Sequence, residues 1–154
     1  MIEPVARAMT RFGQFLRLPP ADRRLLVTAA LLQATIRIGL SWLPYRKLRA
    51  LVNRLARVRP RHPDAPLASP ERVAWAVARA GRSVPGATCL TQALAAKVLL
   101  ERRGHAARVR VGIGRAEGAP LLAHAWVECE GRIMLGGTDL TRYTPLSALE
   151  EKTR

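Results

Sequence analysis

Residues 88–104, TCLTQALAAKVLLERRG, decide the fold. An apolar helix runs from about Thr88 to Arg103, the basic pair Arg102-Arg103 suits its C-terminal dipole, and Gly104 closes it. Two alternating segments follow. Arg108–Ile113 alternates at period two, and in Leu121–Cys129 His124, Trp126 and Glu128 point one way while Ala125, Val127 and Cys129 point the other. Glu130-Gly131 reads as a turn, Arg132–Leu135 as a return strand and Gly136-Gly137 as a second turn. Helix, strand, strand, strand predicts an α+β fold, with one helix packed on an antiparallel sheet.

Upstream, Ser69 can cap a helix whose first positions are Pro70 and Glu71 and which runs to Gly81. Residues 83–87, SVPGA, turn the chain into the helix that carries Cys89. Residues 59–70 contain four prolines and no periodicity, so they read as a linker. Before them, a helix over roughly Tyr45–Val58 sets Leu48, Leu51, Val52, Leu55 and Val58 at helical spacing, with Arg46, Lys47, Arg49, Arg54 and Arg57 on other faces. Residues 22–43 read as a buried helix; the uncharged run from Leu25 to Ile36 falls short of the ~20 residues a bilayer span needs. The expected organisation is a basic helical region over residues 1–66 and a catalytic lobe over 67–154.

The net charge of +15 is uneven: 13 basic and 3 acidic residues in 1–66, a net of +10, against 13 and 8 in 67–154, a net of +5. Such a field favours anionic partners, and the N-terminal region is expected to touch an acidic partner or a membrane periphery. No aromatic-studded basic sheet or known motif supports nucleic-acid binding. Two cysteines form no disulfide framework, and residues 1–9, MIEPVARAM, show no secretory signal, so a reducing cytoplasm is expected.

Cys89 falls in the first turn of its helix. Exposed backbone N–H groups and the macrodipole stabilise a thiolate there, and the same groups can receive an oxyanion. A free Cys is ordinarily a small buried hydrophobe, and a lone strand His a satisfied core residue. A helix-start Cys followed 35 residues later by His124 on a strand is, however, what cysteine–histidine acyl transfer needs. Asp139, the only Asp downstream of Cys89, is the candidate to orient the imidazole. Glu128 lies roughly 13 Å along the strand from His124 and points at the rim. Thr91 and Gln92, within a turn of Cys89, are candidates for oxyanion or substrate contact. Cys89, His105, His124 and Cys129 lack paired zinc-site spacing, so neither metal nor other cofactor is expected.

Several blocks resemble a known family: CLTQALA at 89–95, LLERRGH at 99–105, ARV at 107–109, HAWVECEGR at 124–132 and RYTPL at 142–146. They are similar to the transglutaminase-like leader peptidases of lasso-peptide biosynthesis, over about residues 70–147; LPPADRRLL at 18–26 and LPYR at 43–46 resemble that family's N-terminal helices more loosely. The resemblance implies a papain-like Cys-His-Asp peptidase that removes the leader of a ribosomally made precursor. It also implies a separate leader-recognition protein and an ATP-dependent macrolactam synthetase as partners. Cys89 and His124 carry over directly. The acid does not: well-known members have an Asp about twelve residues after the His, where this chain has Gly136. Two alternatives stand beside the peptidase: a transglutaminase-like acyltransferase, and a non-catalytic peptide-binding scaffold.

Overall fold

Prolines, a serine and a threonine start the helices described below. In the computed structural model, which describes residues 13–58, 68–114, 122–138 and 140–146, α1 spans Pro20–Trp42, α2 Tyr45–Arg57, α3 Pro70–Gly81 and α4 Cys89–Glu101. Ser69 caps α3 as the sequence predicts, its hydroxyl accepting from Arg72 N at 3.3 Å. Beyond α4, the strands are β1 (Ala107–Gly114), β2 (Leu122–Cys129), β3 (Arg132–Leu135) and β4 (Tyr143–Pro145), the last preceded by a 3₁₀ turn at Leu140–Arg142. The sheet is antiparallel in the order β3-β2-β1-β4. Glu130 (φ 51°) and Gly131 (φ 78°) make the tight β2–β3 turn, where two positive φ angles match the twist of the strands.

Helix α4 is the post around which the rest is built. It packs on α1, α2 and α3 and also on β1 and β2, and residues Ala93–Leu100 are all buried. Even Lys97, 4% exposed, is inside, its ammonium held by Glu101 and by the Ala107 carbonyl at 3.2 Å. One continuous core joins Leu25 and Ile36 of α1, Leu48 and Val52 of α2, Val73 and Val77 of α3, all of α4's inner surface, and Val109, Ala125, Val127 and Cys129 of the sheet. Each large aliphatic side chain buried there contributes about 1.5–3 kcal/mol.

Two expectations need correcting. α1 is not a buried helix: only one side, with Leu25, Leu26, Ala29 and Ile36, enters the core. In α2 the buried line is Leu48, Val52 and Ala56, while Leu51, Leu55 and Val58 remain exposed. The reason is a narrow contact with α4 and α1, which one line of side chains satisfies.

Asp22 ties α1 to α3. Arg72 Nε donates to its carboxylate at 2.7 Å and Arg72 Nη2 to the second oxygen, while the guanidinium also lies 4.2 Å over the Trp75 ring. The hydrogen bonds from Arg72 hold the Asp22 carboxyl below the usual carboxylate range. A lowered native value means the bridge stabilises the fold above the unfolded pKa of about 4 and fades as pH falls through the native value. Denaturant melts at stepped acid pH are therefore expected to show wild type losing stability more steeply than Asp22→Asn; equal slopes would remove the bridge from the fold's acid sensitivity.

Candidate active site

Thr88 sets the start of α4. Its extended backbone (φ −101°, ψ 168°) places Oγ1 to accept from Thr91 N at 3.3 Å, and its carbonyl accepts from Gln92 N at 3.0 Å. Among the described residues the N–H groups of Cys89 and Leu90 have no acceptor, so two backbone donors remain open in the first turn of α4. Cys89 is a free, half-buried cysteine. The turn at 82–88, with Gly86 at φ 69°, brings it into position.

His124 is the third residue of β2, on the side of the strand that carries Trp126 and Glu128. Its Nε2 stands 2.8 Å from the carbonyl oxygen of Gly136. A carbonyl can only accept, so Nε2 carries the proton and Nδ1 of the neutral ring is the basic nitrogen. The ring lies 5.0 Å from Tyr143 and 6.4 Å from Trp126, centroid to centroid. Room for this stack comes from Gly112, opposite His124 in the β1–β2 ladder: a Cβ there would lie 2.9 Å from Tyr143 Cβ and 3.0 Å from the Trp126 ring. Gly136 sits at φ 78°, and a Cβ on it would come within 2.8 Å of the Ala125 carbonyl.

Topology sets Cys89 and His124 at one end of the α4–sheet layer. Lys97 of α4 bonds to Ala107, the first residue of β1. From that anchor Cys89 lies eight residues back along α4, about 12 Å. Gly112, the ladder partner of His124, lies five residues on along β1, about 17 Å. No hydrogen bond joins thiol and imidazole among the described residues. Catalytic hydrogen bonds commonly tighten only when substrate arrives.

Other expected site residues fare differently. Thr91 is fully buried and its hydroxyl lies 2.9 Å from that of Thr88; it completes the cap and cannot touch a substrate, because it falls on the side of α4 that meets the core. Gln92 is half-buried against Gly81 of α3, where a Cβ would meet its Nε2 at 2.8 Å. Glu128 is engaged by Trp126 Nε1 at 3.1 Å and Arg110 Nε at 3.2 Å. Asp139 lies outside the described residues. Sequence reasoning missed Tyr143 as a neighbour of the imidazole.

Away from this end, donor atoms of His105, Cys129 and Glu130 lie within 4.8 Å of one another. His105 Nδ1 already pairs with Glu130 at 3.3 Å, and burial, with the Glu130 carboxylate beside it, pushes the Cys129 thiol up, against the ionised form a metal needs. Two hollows, of about 300 Å³ between α1 and α3 and about 490 Å³ between α3 and β3, include neither Cys89 nor His124.

The transglutaminase-like superfamily model matches residues 30–148, from the middle of α1 through the end of β4. No curated protein and no solved structure matches the chain. With helices packed around a four-stranded antiparallel sheet among the described residues and a family match over most of its length, the chain belongs to the transglutaminase-like superfamily, which includes cysteine proteases and acyltransferases.

Proposed function

We propose that the chain is a cysteine peptidase that removes the leader from a lasso-peptide precursor, with Cys89 as nucleophile and His124 as base. The observation that carries this reading is the 2.8 Å contact of His124 Nε2 with the Gly136 carbonyl, at the sheet end where α4 presents its cysteine. That contact leaves Nδ1 to take the thiol proton. The thiolate attacks the scissile carbonyl, and the oxyanion that forms is received by the N–H groups of Cys89 and Leu90. The imidazolium then returns its proton to the leaving amine. Water, deprotonated by His124, cleaves the thioester and frees the leader's new carboxylate. In this reading a leader-recognition protein delivers the peptide and an ATP-dependent macrolactam synthetase takes the core peptide onward.

Gly136 occupies the chain position of the acid in the resembling peptidases, and its main-chain oxygen is the acceptor for His124. Asp139→Asn is therefore expected to change kcat/KM by less than about tenfold, whereas loss of a side-chain carboxylate partner can cost about 10⁴ in kcat. Gly136→Ala, strained by its positive φ and by Ala125, is expected to lower kcat with KM little changed. A loss of 10² or more in Asp139→Asn would return the orienting role to that carboxylate. The overall test incubates a candidate precursor with this protein and its recognition partner and follows the peptide by mass spectrometry. Cleavage into leader and core supports the peptidase; transfer to an added amine without hydrolysis makes it an acyltransferase.

A further inference from the structure

Helix α1 is apolar on two opposite sides. At 3.6 residues per turn, Leu25, Leu26, Ala29, Gln33 and Ile36 form the side buried in the core. Val27, Leu31, Ile38 and Trp42 fall on the other side, and they are 46%, 64%, 62% and 83% exposed. A helix with a single buried side ordinarily carries polar residues opposite it. Four large apolar side chains in a line along a helix of 23 residues are a different pattern.

The polar groups of that outer surface are already satisfied. Thr28 Oγ1 donates to the Arg24 carbonyl at 2.7 Å, Thr35 Oγ1 to the Leu31 carbonyl at 2.9 Å and Ser41 Oγ to the Arg37 carbonyl at 3.2 Å. Hydroxyls turned back on their own helix need no water, which suits an apolar surrounding. Charge lies at the ends of the line. In the chain, Arg23 and Arg24 precede the line, and α2, which follows it, carries Arg46, Lys47, Arg49, Arg54 and Arg57 and no acidic residue.

We infer that the outer side of α1 rests on an anionic lipid surface. Such a surface offers an apolar layer and negative headgroups together, matching an apolar line with cations at its ends. A second copy of the chain would bring another +15 of charge to the same place, which opposes self-docking. The 23 residues of α1, unlike the shorter uncharged run from Leu25 to Ile36, are long and apolar enough to cross a bilayer, but its inner side is committed to the core, so it lies along the surface and does not span it. Trp42, at the end of the line, belongs at headgroup depth.

The experiment sediments the full chain with vesicles of phosphatidylglycerol and phosphatidylcholine, and with phosphatidylcholine alone. The expected result is a partition coefficient about tenfold or more higher on the anionic vesicles, falling with added salt. Leu31→Glu/Ile38→Glu should abolish binding while leaving the thermal midpoint and precursor cleavage in solution near wild type, since both side chains are outside the core. The Trp42 contribution to fluorescence, isolated against Trp42→Phe, should shift to the blue on binding. Absence of binding to anionic vesicles, or binding unchanged in the double variant, would overturn the inference. So would a dimer in solution that the double variant dissolves, which would assign the surface to a second copy. The inference does not depend on the peptidase reading, because its readout is sedimentation.

Discussion

Cys89→Ala is expected to end precursor cleavage, with kcat/KM falling by a factor on the order of 10⁴–10⁶, the scale seen when a covalent nucleophile is removed. The fold should survive the change. Cys89 lies at the rim of the core, half-buried, and the cap of α4 is made by Thr88 and Thr91, not by the thiol. Circular dichroism and the melting temperature should therefore stay near wild type while mass spectrometry finds uncut precursor. Cleavage at the wild-type rate would sink the peptidase reading. Alkylation supplies a second readout. The only other cysteine, Cys129, is 1% exposed and its thiol is pushed up by burial, so iodoacetamide acting on the native protein should label Cys89 alone.

His124→Ala should be nearly as damaging. Without the imidazole the thiol loses its proposed base, so cleavage should drop by a comparable factor and alkylation of Cys89 should slow. Residues that act as one unit are not additive. The double variant Cys89→Ala/His124→Ala should be no worse than the worse single variant. Multiplying losses would mean that the two side chains act apart. Stability distinguishes chemistry from structure here. Among the described residues His124 makes one hydrogen bond and two ring contacts, near the start of β2, so its removal should cost no more than about 1–2 kcal/mol of folding.

Much of this architecture is legible in the sequence because local signals agree with the global fold. Ser69-Pro70-Glu71 marks the start of α3, and the two alternating segments before Glu130-Gly131 become β1 and β2 with the expected sides. Three features escape such reading for physical reasons. β4 has three residues and contains Pro145, too short to show a period. Apolar content forecasts that α1 seeks an apolar neighbour, but periodicity cannot say which of its sides the rest of the chain will cover. Thr91 has the composition of a surface residue, and only the packing of α4 on all sides turns it inward. Of the site, Cys89 and His124 can be picked out by residue type and spacing; the acceptor for His124 cannot, since every residue in a chain has a carbonyl.

That acceptor has an evolutionary consequence. A carboxylate can be deleted by one codon change, but a peptide oxygen is present whatever the codon encodes. What matters at position 136 is a direction in space, held by the left-handed turn after β3 and by the tight approach to Ala125 and Trp126. Alanine scanning and motif searches, which read side chains, would record a vacancy where the chain has kept the contact. For this chain, the lack of an acid at position 136 is therefore no ground for discarding the proposed role of His124; the path of the backbone is the better guide.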